Sequence, residues 1–216
     1  MAKVTITTED LRLLTHHKFG RDVLPLPRAS VFAEAMEAQR ELAQLNTPLR
    51  VAHFMAQIAH ETGGFRSLVE SLNYSDPARL DALFSNVHGV EHAKRLIAEG
   101  QQAIGSCIYA SKLGNGGVDT GDGYRYRGRG FLMNTGKDNY REVERYSELP
   151  VVEDPDQLGR PPGAAQAAAA FWTTHHLNAA ADADRVDDVT RVVNGKSMQG
   201  KAERAAWLAE AKKIWT

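Results

Sequence analysis

One glycine-dense stretch interrupts an otherwise helical pattern, and that interruption limits what the chain can become. Gly114, Gly116, Gly117, Gly121, Gly123, Gly128, Gly130 and Gly136 all fall between residues 112 and 136. Glycine loses the most backbone freedom on folding and offers no side chain to pack. Such a stretch makes turns and short strands, and it lets main chain approach a ligand closely. On either side of it, apolar residues recur at helical spacing. Thr8 is the expected N-cap of a short helix carrying Leu11, Leu13 and Leu14. Val31, Phe32, Ala35, Met36, Leu42 and Leu45 predict a helix over 29–45. Thr47 followed by Pro48 reads as a cap and a first-turn proline. The helix they open carries Val51, Phe54, Met55, Ile58 and Ala59, and Gly63-Gly64 stops it near Thr62. Ser75-Asp76-Pro77 starts another through Leu80, Leu83 and Phe84. Helices resume near Lys137, an alanine-rich one covers about 163–176, and a last one capped by Ser197 ends near Trp215. The sum is one mainly α-helical domain with a small β or irregular element around 112–136.

Composition narrows the class. The chain has 216 residues and a formal net charge of −1, so nothing marks it as a general polyanion binder. Its one cysteine, Cys107, leaves no internal disulfide. Cys107 sits in an apolar stretch and reads as a buried structural thiol. The first residues lack the apolar core of a signal peptide, so synthesis in the cytoplasm is expected. No apolar run approaches the roughly 20 residues that span a bilayer.

The chemistry-bearing words begin with His60-Glu61-Thr62-Gly63-Gly64. A helix ends there in a glutamate, and two glycines turn the chain away. Neighbours that partly shield a carboxyl raise its pKa and suit it to general acid work. A solvated glutamate at a helix end is the plainer alternative. A zinc-protease reading fails, because His-Glu-x-x-His needs a histidine where Gly64 stands. Glu70 follows, and glycoside hydrolysis commonly needs a second carboxyl. In Gly121-Asp-Gly-Tyr-Arg-Tyr-Arg-Gly-Arg-Gly-Phe131, Tyr124 and Tyr126 can stack on sugar rings. Arg125, Arg127 and Arg129 can pair with carboxylates or brace a hairpin. The run is too short and the chain too neutral for an RNA-binding tract. Thr135 can hold a water or cap a helix, and Asn139 can bind an acetamido group. Asn194-Gly195 reads as a turn, and His175 and His176 as packing or surface residues of the alanine-rich helix.

Taken in order, these words resemble the family 19 glycoside hydrolases, the chitinase-like group that includes many bacteriophage endolysins. The matching words are Ala-Gln-Ile-Ala-His-Glu-Thr-Gly-Gly-Phe (56–65), Glu-Ser-Leu-Asn-Tyr-Ser (70–75), Leu-Gly-Asn-Gly (113–116), the 121–131 run, Thr-Gly-Lys-Asp-Asn-Tyr (135–140) and Val-Asn-Gly (193–195). The resemblance implies a lysozyme-like, two-lobed α-helical fold with a cleft. It implies inverting hydrolysis of a β-1,4 bond, with Glu61 protonating the glycosidic oxygen and Glu70 acting as base or stabilising the cationic transition state. Thr135 then helps position the attacking water, and the two carboxyls stand roughly 6.5–9.5 Å apart. His60, Tyr124, Tyr126, Arg129, Asn139 and Asn194 match positions that contact the sugar or support the acid. Met133 departs from the glutamine usual there, and Ser111-Lys112 from the usual Asn-Arg. Leu83 stands about where plant chitinases carry their second acid, which favours the phage-type arrangement. The expectation is a single catalytic domain over 1–216, without a separate wall-binding module, metal or cofactor. It acts as a monomer on peptidoglycan in the periplasm, reached through a holin-opened membrane, with no nucleic-acid partner. A chitinase and a non-catalytic wall-binding protein of the same fold are the alternatives.

Overall fold

The computed structural model describes residues 3–215. Its helices are α1 (Thr8–Phe19), α2 (Leu26–Ala38), α3 (Pro48–Glu61), α4 (Pro77–Leu83), α5 (Val90–Glu99), α6 (Gln101–Ile108), α7 (Asp122–Arg125), α8 (Lys137–Ser147), α9 (Pro161–Thr174), α10 (Leu177–Asp182), α11 (Val186–Asn194) and α12 (Lys201–Trp215). None of the described helices is long and apolar enough to cross a membrane. The chain divides into two compact units. The first comprises residues up to Leu68, Gly130–Leu132 and residues from Leu158 onward, and the second comprises Val69–Arg129 with Met133–Gln157.

The first unit is built around α3. Every residue from Val51 to Ala59 is buried, so this helix has no solvent face over that span. Its start follows the sequence closely: Thr47 Oγ1 accepts the Arg50 N–H, and Pro48 opens the first turn. α12 packs along α3, and Trp172 of α9 and Trp215 of α12 are fully buried beside the same core. Truncating a tryptophan so placed typically costs about 3–5 kcal/mol. The alanines of α9 let that helix approach closely, since Ala164, Ala165 and Ala167–Ala170 are all buried. The second unit has its own smaller core of Leu72, Leu80, Val87, Ala93, Leu96, Ile104, Cys107 and Ile108. The Cys107 thiol donates to the Asn86 carbonyl, and burial pushes its pKa up, so it serves as an inert packing group.

Several boundaries differ from the sequence expectation for local reasons. The cap of α1 is Thr7, not Thr8, because Thr7 forms a reciprocal capping box with Asp10. α2 ends at Ala38, not near 45. A reversal through Gln44, with Leu45 N–H bonded to Arg40 O, returns Leu45 to the core. The glycine-rich stretch holds a short 3-10 turn (Val118–Thr120) and α7 where strands were expected. Its β character among the described residues is limited to isolated antiparallel bridges, Val69 with Arg129 and Arg129 with Asn134. Gly105 and Gly123 explain the close packing of α6 on α7, because a methyl on Gly123 would lie 2.4 Å from the Gly105 carbonyl. His175 closes α9, and His176 sits in the left-handed region between α9 and α10, so neither lies within the alanine-rich helix. Ser197 belongs to a 3-10 turn (Gly195–Ser197) and donates to Asn194, while α12 begins only at Lys201.

Candidate active site

Glu61 occupies the last turn of α3, and the way that helix ends determines its environment. Gly63 takes a left-handed φ of 59°, its N–H bonds His60 O at 3.1 Å, and Gly64 N–H bonds Ala59 O at 2.7 Å. This is a Schellman stop, which needs a residue free of the Cβ penalty at position 63. Thr62 adds a second tie, accepting the Phe65 N–H at 2.9 Å while its hydroxyl donates to Ile58 O. The carboxyl of Glu61 is thereby fixed at the edge of a hollow of about 510 Å³ lined by His60, Glu61, Asn194, Gln199, Gly200, Glu203 and Arg204.

Arg204, on α12, supplies the partner. Its guanidinium hydrogen-bonds Glu61 Oε1 through Nη2 and Gln57 Oε1 through Nη1, the latter at 2.6 Å. The arginine side chain is only 1% exposed and that of Glu61 16%. A buried guanidinium needs such partners, since an uncompensated charge there is costly. The bond from Arg204 falls on Glu61 Oε1 and leaves Oε2 outside this pair. Next to it, burial and then the Arg204 charge push the His60 imidazole down to about 4, which leaves it neutral near pH 7. Asn194 ends α11, and its Oδ1 accepts the Gln199 N–H at 2.7 Å and the Ser197 hydroxyl at 3.0 Å. It is therefore an organiser of the hollow's rim as well as a lining residue.

The second unit holds a separate carboxyl arrangement. Glu70 N–H bonds Gly128 O at 2.8 Å, and Gly128 N–H returns a bond to Glu70 Oε2 at 3.1 Å. The Tyr109 hydroxyl donates to Glu70 Oε1 at 2.7 Å. A methyl built on Gly128 would stand 3.3 Å from Glu70 Oε2 and 3.2 Å from Thr135 Oγ1. The bare α-carbon of Gly128 thus faces both the carboxylate and the hydroxyl. Thr135 Oγ1 donates to Met133 O at 3.0 Å. It does not cap α8, whose N-cap is Gly136. Asn139, exposed in the first turns of α8, donates through Nδ2 to Thr135 O at 2.6 Å.

Comparison with known proteins decides the family. No protein-family model matches the chain. A glycosyl hydrolase family 19 domain-containing protein of Haemophilus influenzae is 34% identical over 171 residues, covering 79% of this chain and 82% of the relative. The chain belongs to glycoside hydrolase family 19. The crystal structure of chitinase C from Streptomyces griseus HUT6037 aligns over 98% of this chain and 93% of that one, with a TM-score of 0.57 at 16% identity. A chitinase C mutant aligns over 94% and 91%, with a TM-score of 0.53 at 16% identity. The fold is the lysozyme-like helical fold of a family 19 chitinase, and the chain is a glycoside hydrolase.

Of the sugar contacts that the family resemblance implied, Tyr126 is the one whose burial departs from that expectation. Tyr126 is 3% exposed, packs its ring on Tyr140 and donates its hydroxyl to Val152 O at 3.1 Å. A ring so enclosed cannot stack on a sugar. Arg129 is also 3% exposed, and its Nη atoms bond Arg125 O, Tyr140 Oη and Asp156. It braces the glycine-rich segment and, with Tyr124, Arg125 and Arg127, also lines a hollow of about 570 Å³. Tyr124 keeps a half-exposed ring, with the Arg127 guanidinium 4.2 Å from its centroid. Sequence reading missed Arg204, Gln57, Tyr109 and Gly128. Arg204 and Tyr109 reach their carboxyls from distant parts of the chain and stand in no recognisable word. Gln57 lies in the 56–65 word and meets Glu61 only through their shared partner Arg204. Gly128 lies in the 121–131 word and had a local signal as one of the glycines that allow close approach. Among the described residues, no cluster of three or more His, Cys, Asp or Glu side chains is placed to hold a metal ion.

Proposed function

We propose that this family 19 enzyme hydrolyses β-1,4 bonds of peptidoglycan with inversion, as an endolysin does. The observation that carries the reading is that the Glu70 carboxylate and the Thr135 hydroxyl both face the bare α-carbon of Gly128, which brings the proposed base and the water-positioning hydroxyl to one place. Inverting hydrolysis requires a base and a water aimed at the sugar. In the proposed reaction the proton on Glu61 Oε2 passes to the glycosidic oxygen as the C1–O bond breaks. Glu70 takes a proton from the water, whose oxygen forms the new bond to C1 on the opposite face. Glu70 then releases its proton to solvent, and solvent reprotonates Glu61, which restores both carboxyls. Arg204 holds the acid in place, and neutral His60 and Asn194 offer polar edges to an N-acetylated sugar.

Two features favour peptidoglycan. The second acid follows the first closely, in the phage-type pattern, and the lone Cys107 excludes the disulfide-bearing loop in which plant chitinases place theirs. In this role the enzyme works without a cofactor, as a monomer, and meets the wall once the host membrane has been opened. Chitin is the second reading, because the matched structures are chitinases and both polymers present β-1,4-linked N-acetylated sugars. The experiment is turbidity loss of outer-membrane-stripped Gram-negative cells by the native enzyme and by Glu61→Gln, with mass spectrometry of the released fragments. Native lysis that yields reducing sugar ends and intact peptides, with rates lowered about 10²–10⁴-fold in the variant, supports the reading. Equal lysis by the variant removes Glu61 from its role. Silence on cells with turnover of chitin oligosaccharides shifts the substrate to chitin.

A further inference from the structure

We infer that Tyr109 is a positioning residue for the reaction, holding the Glu70 carboxylate in the aim that activates water. The inference rests on the reading of Glu70 as base. The geometry gives that carboxylate a donor on each oxygen: the Tyr109 hydroxyl at 2.7 Å on Oε1 and the Gly128 N–H at 3.1 Å on Oε2. A carboxylate has about four lone-pair sites, so two remain for water while rotation of the group is blocked. The main chain of Glu70 is pinned as well, by its own N–H to Gly128 O and by the bridge of Val69 with Arg129.

Tyr109 is itself held. It closes α6, and its carbonyl accepts the Asn115 Nδ2 at 3.0 Å. Asn115 is buried and through Oδ1 also receives the Lys137 N–H at 2.9 Å, which ties the start of α8 to the end of α6. The phenol is thus fixed by two helices before it touches Glu70. Burial first, and then the Glu70 charge, raise its pKa far above the ordinary tyrosine value, so it stays a donor throughout the working range. After burial, the Glu70 charge raises the pKa of Tyr74 as it does that of Tyr109. From the glycine-rich side Glu70 meets Gly128 and Thr135, which carry no charge.

The test uses the full chain and steady-state kinetics on whichever of Gram-negative sacculi and chitin oligosaccharides the native enzyme hydrolyses. Tyr109→Phe keeps the ring and removes the donor. We expect kcat to fall roughly tenfold or more, in line with loss of a hydrogen bond to a charged group, with KM little changed. A kcat that falls while KM holds is the signature of a carboxylate that has lost its aim, which a packing defect alone does not give. Gly128→Ala, which crowds Glu70 Oε2 and Thr135 Oγ1, should lower kcat as well. Melting curves accompany each variant. A Tyr109→Phe enzyme that melts earlier but keeps its kcat overturns the inference, since only packing was lost. Glu70→Gln separates the layers. Retained activity there sinks the base assignment and this inference with it, whereas its loss alongside an unaltered Tyr109→Phe kcat sinks the inference alone. An enzyme inert on both polymers overturns both.

Discussion

Arg204 and Glu61 are 143 residues apart in the chain, yet the guanidinium of one, buried on α12, hydrogen-bonds the carboxylate of the other in the last turn of α3. The same guanidinium holds Gln57 one turn earlier on α3, so α12 orients both the acid and the helix that presents it. An ammonium cannot span two such acceptors in fixed directions. Arg204→Lys is therefore expected to lower turnover at least about tenfold, and to cost about 3 kcal/mol of stability because buried acceptors lose their donor. Denaturant titration and initial rates check both; unchanged rates would show that the pair is structural only.

The imidazole of His60 has a folded-state pKa near 4, below the ordinary histidine value. Because the unfolded chain binds this proton at higher pH than the folded chain does, folding opposes protonation. Stability on this account is complete above about pH 6.5 and is lost as the pH falls toward 4. His60→Gln should flatten part of that decline. Melting temperatures at pH 7 and pH 5, native against variant, are the measurement. An equal drop in both would assign the acid sensitivity to other groups, among them His53, whose pKa burial also lowers.

Gly200 carries a φ of +73°, and a methyl on it would sit 2.4 Å from the His60 ring. Gly200→Ala meets both backbone strain and a collision, so a loss of about 1–3 kcal/mol is expected together with a displaced imidazole. Equilibrium unfolding gives the first quantity and an NMR titration of His60 the second. A variant as stable as the native chain would contradict the packing described for the hollow.

Arg129 and Asp156 pair at 2.8 Å, but the two ends of the pair differ greatly in burial. Asp156→Asn should change stability by less than about 1 kcal/mol, because its charge lies in water. Arg129→Ala strips donors from buried acceptors and should cost roughly 2–3 kcal/mol. Substrate affinity is expected to hold in the folded fraction of either variant; a large rise in KM with unchanged stability would restore a sugar-binding role to Arg129.

What the sequence determined by itself was local. The cap at Thr47, the proline at 48 and the glycines at 63 and 64 bound α3 within a residue, because capping and left-handed turns are properties of neighbours in the chain. The family words likewise placed Glu61, Glu70 and Thr135 among the candidates before any coordinates. The helices α5, α6, α10 and α11 were not read in advance, and strands were expected where bridges and a helical turn formed. Those segments are short, and their state is decided by burial against elements far away in sequence. Tertiary structure alone decided the partners. It brought Arg204 to Glu61 and Tyr109 to Glu70, and it buried Tyr126 and Arg129 where an alternating Tyr-Arg run suggested sugar contacts. Residue type tells which bonds a side chain can make, but which partner it meets and whether it meets water depend on how distant segments pack.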